Sequence, residues 1–153
     1  MSVNICRNGQ LVKIAGANQP ACFITTKETV LYEGNSKFEC TTTLTSYNTE
    51  ISLLESISNY DEIKIYYANY SDAHDIDSGI KCDSYNSSDI MKILGRSIYL
   101  NEEWTYGLFN IDASFIDGET LALNNGILTY KNGATETSFN GVNIYRITGI
   151  KTV

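Results

Sequence analysis

The sequence predicts an all-β protein, an antiparallel β-sandwich or a jelly-roll-like barrel with a short N-terminal arm. Two observations favour this fold class. The 153-residue chain is rich in isoleucine, threonine and tyrosine, which suit strands, and in asparagine, which together with glycine suits tight turns. Runs that alternate between apolar and polar residues are also separated by turn residues at intervals of about 8 to 12 residues, as in antiparallel sandwiches and barrels.

The N-terminal arm is predicted over residues 1–20, and residues 21–153 are predicted to form a single domain. Within the arm, the strand-like run LVKIAG at 11–16 lies between an Asn-Gly pair at 8–9 and a cluster that ends at Pro20. The Asn-Gly pair favours a two-residue hairpin turn, and the cluster interrupts any regular element.

The strand of this arm is too short to be stable alone, because an isolated hairpin is marginal in water. We therefore expect its apolar residues Leu11, Val12 and Ile14 to act as an anchor that adds to an exposed sheet edge of a neighbouring protein. The alternative is that the arm pairs with its own domain as an edge strand.

From residue 28 onward, alternating runs predict the strands of the domain in order. About seven to nine of these runs should form strands. The runs are ETVLYE at 28–33, TTTLTS at 41–46, EISLLE at 50–55, DEIKIYYA at 61–68, GIKCDS at 79–84, RSIYLN at 96–101, EWTYGLFNIDASFI at 103–116, ETLALN at 119–124, GILTYK at 126–131 and GVNIYRITGI at 141–150.

Turn signals are dense in the last third of the chain. Asp-Gly or Asn-Gly pairs occur at 117–118, 125–126, 132–133 and 140–141. Such pairs supply the positive φ that primed hairpin turns require, so this part is predicted to be a meander.

Two segments suit a helix, SISNY at 56–60 and SSDIMKILG at 87–95. In the second, Ser88 is the predicted N-cap and Gly95 the predicted end. Both segments are too short to define the architecture.

The run DEIKIYYA places Ile63, Ile65 and Tyr67 on one face of a strand and Lys64 and Tyr66 on the other. The first face is expected to enter the core. The second face is expected to meet water or a partner.

An acidic loop follows this run, with Asp72, Asp75 and Asp77 around His74, the single histidine of the chain. No register of the loop places oxygen ligands, a sixth-position glycine and a twelfth-position glutamate as an EF-hand requires. We interpret it as a solvated loop, with a looser divalent-cation site as the alternative.

Composition and motifs argue against several function classes. The net charge is −7, and the basic residues form no stripe, so nucleic acid is not an expected partner. No apolar run approaches the roughly 20 residues that span a bilayer, and the first ten residues lack the apolar segment of a secretion signal. We expect a soluble, cytosolically made protein whose four cysteines stay reduced.

The sequence also lacks the usual signatures of catalysis. It has one histidine, no nucleophile elbow, no phosphate-binding loop, no zinc-protease motif and no C-x-x-C pair. We therefore predict a protein that is not an enzyme and needs no cofactor or metal.

Exposed aromatic rings suggest a carbohydrate-binding module as a second reading. Tyr66, Tyr70, Tyr85 and Trp104 are the candidate platform, because aromatic rings can stack on sugar faces while neighbouring Asn and Asp side chains bind hydroxyls. The run at 103–116 is also apolar on both faces if it forms one strand, which favours an oligomer in which a second copy covers the outer face.

Three segments resemble small structural proteins of tailed bacteriophages, found in head fibres, decoration proteins and tail-associated fibres. They are EISLLE at 50–55, SISNYDEIKIYY at 56–67 and the ending NIYRITGIK at 143–151. The resemblance covers mainly residues 28–68 and 141–151 and rests on strand and turn patterns.

The resemblance implies a β-rich virion protein made in the bacterial host cytoplasm and carried on the particle surface. It implies a protein that is usually oligomeric and often trimeric, and that contacts capsid or tail proteins and, at a fibre tip, a host-surface glycan. By position, the segment 58–61 would form the turn into a central strand, and Ile144, Ile147 and Gly149 would lie on the closing strand. The resemblance supplies no catalytic residue.

Overall fold

The computed structural model describes residues 4–7, 10–13, 24–40, 45–71, 79–104, 107–130 and 140–153. Over these residues the chain is mainly antiparallel β-structure. The strands are β1 (Asn4–Arg7), β2 (Gln10–Lys13), β3 (Thr26–Glu39), β4 (Thr45–Ser52), β5 (Glu62–Ser71), β6 (Lys81–Asn86), β7 (Ile98–Trp104), β8 (Gly107–Asp117), β9 (Thr120–Tyr130) and β10 (Asn140–Thr152). A short helix, α1 (Ser87–Lys92), follows β6, and a 3-10 turn (Ile57–Asn59) precedes β5.

Two four-stranded antiparallel sheets form the domain. The first sheet has the order β3-β10-β5-β6, and the second has the order β4-β9-β8-β7. The chain crosses from the first sheet to the second after β3 and β6, and returns after β4 and β9. The predicted all-β sandwich is confirmed, with the strand that ends the chain placed at the centre of the first sheet.

The core lies between the two sheets and is filled mainly from the inner faces of β3, β5 and β10 in the first sheet and β7, β8 and β9 in the second. Ile63, Ile65 and Tyr67 are all fully buried, as their alternation in β5 predicted. The other large buried side chains include Leu31, Phe38, Ile57, Leu100, Phe109, Ile111, Phe115, Leu121, Leu123, Ile144 and Ile147.

A polar network joins the two sheets along the edge where β6 and β7 lie. The Tyr67 hydroxyl donates to Asp83 Oδ2 at 2.5 Å and also lies 3.2 Å from the carbonyl oxygen of Asn101 in β7. Lys81 Nζ donates to the same carbonyl at 2.6 Å and lies 3.8 Å from Asp83 Oδ1. Burial, together with the Asp83 carboxylate, raises the pKa of Tyr67, so its hydroxyl remains a donor.

The N-terminal strands β1 and β2 pair with each other as a separate two-stranded sheet. Arg7 lies opposite Gln10, so residues 8–9 connect the strands as the Asn-Gly pair predicted. Leu11 and Val12 belong to β2, whereas Ile14 lies outside the described residues. In the described part of the chain, neither main sheet includes this hairpin. The described strands of the arm therefore do not pair with the domain as an edge strand, which was the alternative prediction.

The predicted single strand at 103–116 is wrong, because this stretch contains a hairpin. β7 ends at Trp104, β8 begins at Gly107, and these two residues are cross-strand partners. In one continuous strand Leu108 would share a face with Trp104, four residues earlier. In the hairpin Leu108 is instead the cross-strand partner of Glu103 and shares a face with that residue.

The apolar outer face predicted for that stretch is therefore not present in β8. Its outward positions alternate with the buried Phe109, Ile111 and Phe115. Those outward positions are Leu108, Asn110, Asp112, Ser114 and Ile116. Three of the five are polar, so the oligomer prediction now depends on the resemblance alone.

Two of the predicted turns are also wrong. Asn125 and Gly126 lie inside β9, where the register of β8 and β9 shifts by one residue at Asn124. Asn140 and Gly141 open β10, where the missing side chain lets Gly141 approach the Phe38 carbonyl closely. The pair at 117–118 does lie in the β8–β9 hairpin, but Gly118 does not have the positive φ that was predicted for it. The pair at 132–133 is outside the described residues.

Helix α1 is capped by Asn86 and not by Ser88. The Asn86 side chain accepts a hydrogen bond from the backbone N–H of Asp89 at 3.2 Å, and the Ser88 hydroxyl donates to Asn86 Oδ1 at 2.8 Å. Gly95 has φ +75°, but Ile93 is the C-cap and the Gly95 N–H donates to the Phe115 carbonyl, so Gly95 does not cap the helix as predicted. No helix in the described ranges is long and apolar enough to cross a membrane.

Replacing Asn86 by alanine should lower the free energy of unfolding by about 1 kcal/mol, because the N–H of Asp89 loses its acceptor. Urea denaturation followed by far-UV circular dichroism measures this loss. Ser88→Ala is the matched control and should cost less than about 0.5 kcal/mol. Equal losses in the two variants would show that Asn86 does not cap the helix.

Candidate functional site

The first sheet contains two register shifts side by side, both at Tyr145 of β10. Ile144 and Arg146 pair with the adjacent residues Tyr67 and Tyr66 of β5, so the register shifts by one residue between them. On the other side, Ile144 and Arg146 pair with Ser36 and Glu33 of β3, and two residues of β3 face Tyr145. Bulges of this kind bend a strand and redirect side chains, and they often occur beside functional sites.

A cleft of about 330 Å³ opens on the outer face of the sheet at these shifts. We call it the bulge cleft. This volume falls at the small end of the range for ligand pockets, about 300 to 1,000 Å³. The residues that line the cleft are Glu33, Gly34, Tyr66, Ile80, Tyr145 and Arg146.

An ion pair forms one wall of the bulge cleft. Arg146 Nη2 donates to Glu33 Oε1, and this hydrogen bond raises the pKa of Arg146 above its ordinary value. The two side chains are 47% and 62% exposed, so the pair contributes little to stability. It does hold a carboxylate and a guanidinium side by side at the opening of the cleft.

Tyr66 is positioned by a hydrogen bond at its hydroxyl end. The hydroxyl donates to Glu28 Oε1 at 3.2 Å, and the Thr148 hydroxyl donates to the same oxygen at 2.7 Å. The bond from Thr148 is the main reason why the pKa of Glu28 lies below its ordinary value, so this carboxylate is ionised at neutral pH. The Tyr66 ring therefore lines the cleft while its hydroxyl is bound to β3.

Tyr66 and Tyr85 lie on opposite faces of the first sheet. Tyr66 pairs with Cys82 and Arg146 on the outer face, whereas Tyr85 is the cross-strand partner of the fully buried Ile63. Tyr85 packs against the core, and its burial raises the pKa of its hydroxyl to about 12. These two members of the predicted aromatic platform therefore cannot contact the same ligand face.

The other two predicted platform residues belong to different sheets. Tyr70 lies in β5 opposite Gly141, and Trp104 ends β7 opposite Gly107. The positions of their side chains fall outside what the structure describes, as do those of Leu11 and Val12.

The acidic loop with Asp72, Asp75, Asp77 and His74 lies within 72–78, outside the described residues, so its cation-binding alternative is not tested. Among the residues that the structure does describe, no three His, Cys, Asp or Glu side chains are grouped so as to hold a metal ion.

Sequence reasoning identified Tyr66 but missed Glu33, Tyr145 and Arg146. A signal for Tyr145 and Arg146 is present in NIYRI, where the two buried residues Ile144 and Ile147 are three apart instead of two or four. A spacing of three breaks the period of a strand and indicates a bulge. The residues between the two isoleucines are those that the bulge turns outward.

No protein-family model matches this chain, and no curated protein matches its sequence. The functional interpretation therefore depends on the resemblance of its strand and turn segments and on the geometry of the bulge cleft.

Proposed function

We propose that this protein is a non-enzymatic structural component of a tailed-bacteriophage particle, displayed on the head or the tail. The proposal comes from the resemblance, and one structural observation supports it. Two of the three resembling segments, 56–67 and 143–151, lie far apart in the chain but contribute to the neighbouring strands β5 and β10 at the centre of the first sheet. The turn before β5 also packs on β10, where the Tyr60 ring lies directly over Gly149.

The expected partners are further copies of this chain, most simply in a trimer, and the capsid or tail protein that carries it. The β1–β2 hairpin is the segment proposed for attachment, because it pairs with neither main sheet in the described residues. Its outer backbone groups are suited to adding to a sheet edge of another protein.

Mass spectrometry of purified particles tests the proposal. Particles should contain this chain at a fixed ratio to the major capsid or tail protein after a density gradient and a high-salt wash. The chain's absence from washed particles would refute the assignment. Light scattering of the purified protein should give the mass of a trimer, and a monomer at micromolar concentration would contradict the expected assembly.

Deleting residues 1–17 should leave the fold intact but abolish incorporation into particles. Because β1 and β2, as far as the structure describes them, form no pairing with the two sheets, Tm should fall by less than about 3 °C, which corresponds to about 1 kcal/mol in a domain of this size. Differential scanning calorimetry and incorporation of tagged protein into particles are the two measurements.

A full-length control with Leu11 and Val12 replaced by alanine keeps the length of the arm but removes its apolar side chains. This control should also fail to incorporate if the side chains form the anchor. A large fall in Tm on deletion would show instead that the arm stabilises its own domain.

A second candidate function, binding of a host-surface glycan, is favoured by the bulge cleft. The cleft combines aromatic walls with a few polar groups, the usual composition of a small-ligand site. A glycan array with the full chain tests this function. Tyr66→Ala should abolish binding, and Tyr99→Ala, a 55% exposed tyrosine on the other sheet, should leave it unchanged.

A further inference from the structure

We propose that the bulge cleft binds an uncharged sugar ring, and that Glu33 and Arg146 bind adjacent hydroxyls of that ring. This inference rests on the second candidate function and is independent of the particle assignment. It names the ligand class that the ion pair selects and the residues that make the selection.

The first argument is the charge balance of the cleft. Among its lining residues, Glu33 and Arg146 carry charge, and they are already paired with each other. A sugar carboxylate that bound Arg146 would lie beside the Glu33 carboxylate, and the repulsion between the two negative charges would weaken binding. A neutral sugar can bind both groups while their ion pair stays intact.

The second argument is the match between donors and acceptors. A guanidinium only donates hydrogen bonds, and an ionised carboxylate only accepts them. Neighbouring hydroxyls on a sugar ring can satisfy both at once, one accepting from Arg146 and the next donating to Glu33. Hydrogen bonds to charged groups of this kind are stronger than those between neutral groups.

The third argument is the apolar surface that faces this ion pair. Tyr66 and Tyr145 present aromatic side chains to the cleft, and Ile80, which is 53% exposed, adds an aliphatic wall. The C–H face of a sugar ring can pack on such surfaces while its hydroxyls face the polar wall. The small volume suits the end of an oligosaccharide rather than a long internal stretch.

The test is an NMR titration of the ¹⁵N-labelled full chain with two sets of free sugars. The neutral set is the methyl glycosides of glucose, galactose, mannose and rhamnose, and the acidic set is glucuronic acid and N-acetylneuraminic acid. At least one neutral sugar should shift the amide signals of Glu33, Tyr66 and Arg146, with a Kd in the millimolar range expected for so small a ligand. Raising the salt concentration from about 0.05 to 0.5 M should change this Kd less than about twofold, since the ligand carries no charge.

Two variants separate the roles of the ion pair. Glu33→Gln and Arg146→Gln should each weaken binding of the neutral sugar by about tenfold or more, because each removes a hydrogen bond to a charged group. Glu33→Gln should also let an acidic sugar bind, since Arg146 is then unpaired. Glu50→Gln is the matched control, because Glu50 is an exposed glutamate on the second sheet. It should change neither the Kd of the neutral sugar nor the binding of the acidic sugars.

The outcomes are distinguishable. Acidic sugars that bind the unaltered chain better than neutral ones would overturn the proposed ligand class but leave glycan binding in place. A neutral sugar that binds with an unchanged Kd in both variants would overturn the roles of Glu33 and Arg146. If no free sugar shifts the cleft signals and the array shows no binding, both the inference and the glycan-binding function fail, while the particle assignment stands on its own test.

Discussion

Replacing Gly141 by alanine is expected to lower the free energy of unfolding by about 3 kcal/mol or more. The added Cβ would overlap the Phe38 carbonyl oxygen and would lie 2.7 Å from its carbonyl carbon and 3.0 Å from Cα of Glu39. All three atoms belong to the backbone of the paired strand β3, so a change of side-chain rotamer cannot relieve the overlap. The central strand β10 must separate from β3 or lose its register at this point.

Thermal and urea unfolding measure this loss, which corresponds to a fall in Tm of about 10 °C for a domain of this size. Gly79→Ala is the matched control, because no atom of the described residues, apart from its chain neighbours, lies within 4 Å of the Cβ that it would add. Its Tm should change by no more than about 2 °C. A Gly141→Ala protein as stable as this control would show that β3 and β10 do not approach as closely as described.

Replacing Tyr67 by alanine should cost about 3 to 5 kcal/mol, since it removes a fully buried aromatic ring and leaves a cavity between the sheets. Tyr67→Phe keeps the ring and removes only the hydroxyl, so it measures the contribution of the hydroxyl alone. It should cost about 1 to 3 kcal/mol, because Asp83 loses its short hydrogen bond. Chemical denaturation gives both values.

Tyr99→Ala is the control for this pair of variants. Tyr99 is 55% exposed on the outer face of the second sheet, so its removal should cost less than about 0.5 kcal/mol. A Tyr67→Phe protein as stable as the unaltered chain would mean that the network with Asp83, Lys81 and Asn101 does not stabilise the contact between the sheets.

Much of the fold was predictable because each strand repeats the same simple pattern. β5 shows this most clearly, since the alternation of Ile63, Ile65 and Tyr67 predicted which residues are buried. Burial on one face of a sheet imposes a period of two on the sequence, and that period is visible without knowledge of the partner strands. The hairpin at residues 8–9 was predictable for a similarly local reason, since Asn-Gly suits a two-residue turn.

The predictions that failed concern features that depend on strands distant in sequence and not on neighbouring residues. The stretch at 103–116 suggests one strand although it contains the end of β7 and the start of β8, because short hairpins and continuous strands can have equally apolar sequences. Gly141 was read as a turn residue, yet glycine is required there because the backbone of Phe38 lies against it. The same residue type serves a turn or a close approach, and the neighbouring strand decides between them.

The candidate site also has one part that the sequence predicted and one part that only the tertiary structure determined. Alternation along β5 was enough to place Tyr66 on the outer face, and the exposed ring was recognised for that reason. Its separation from Tyr85 follows from the pairing of β5 with β6, and its association with Glu33 and Arg146 follows from the insertion of β10 between β3 and β5. Contacts between strands far apart in the chain depend on the order of the strands in each sheet and on the positions of the register shifts. The period of two within one strand shows which face is buried but indicates neither of these.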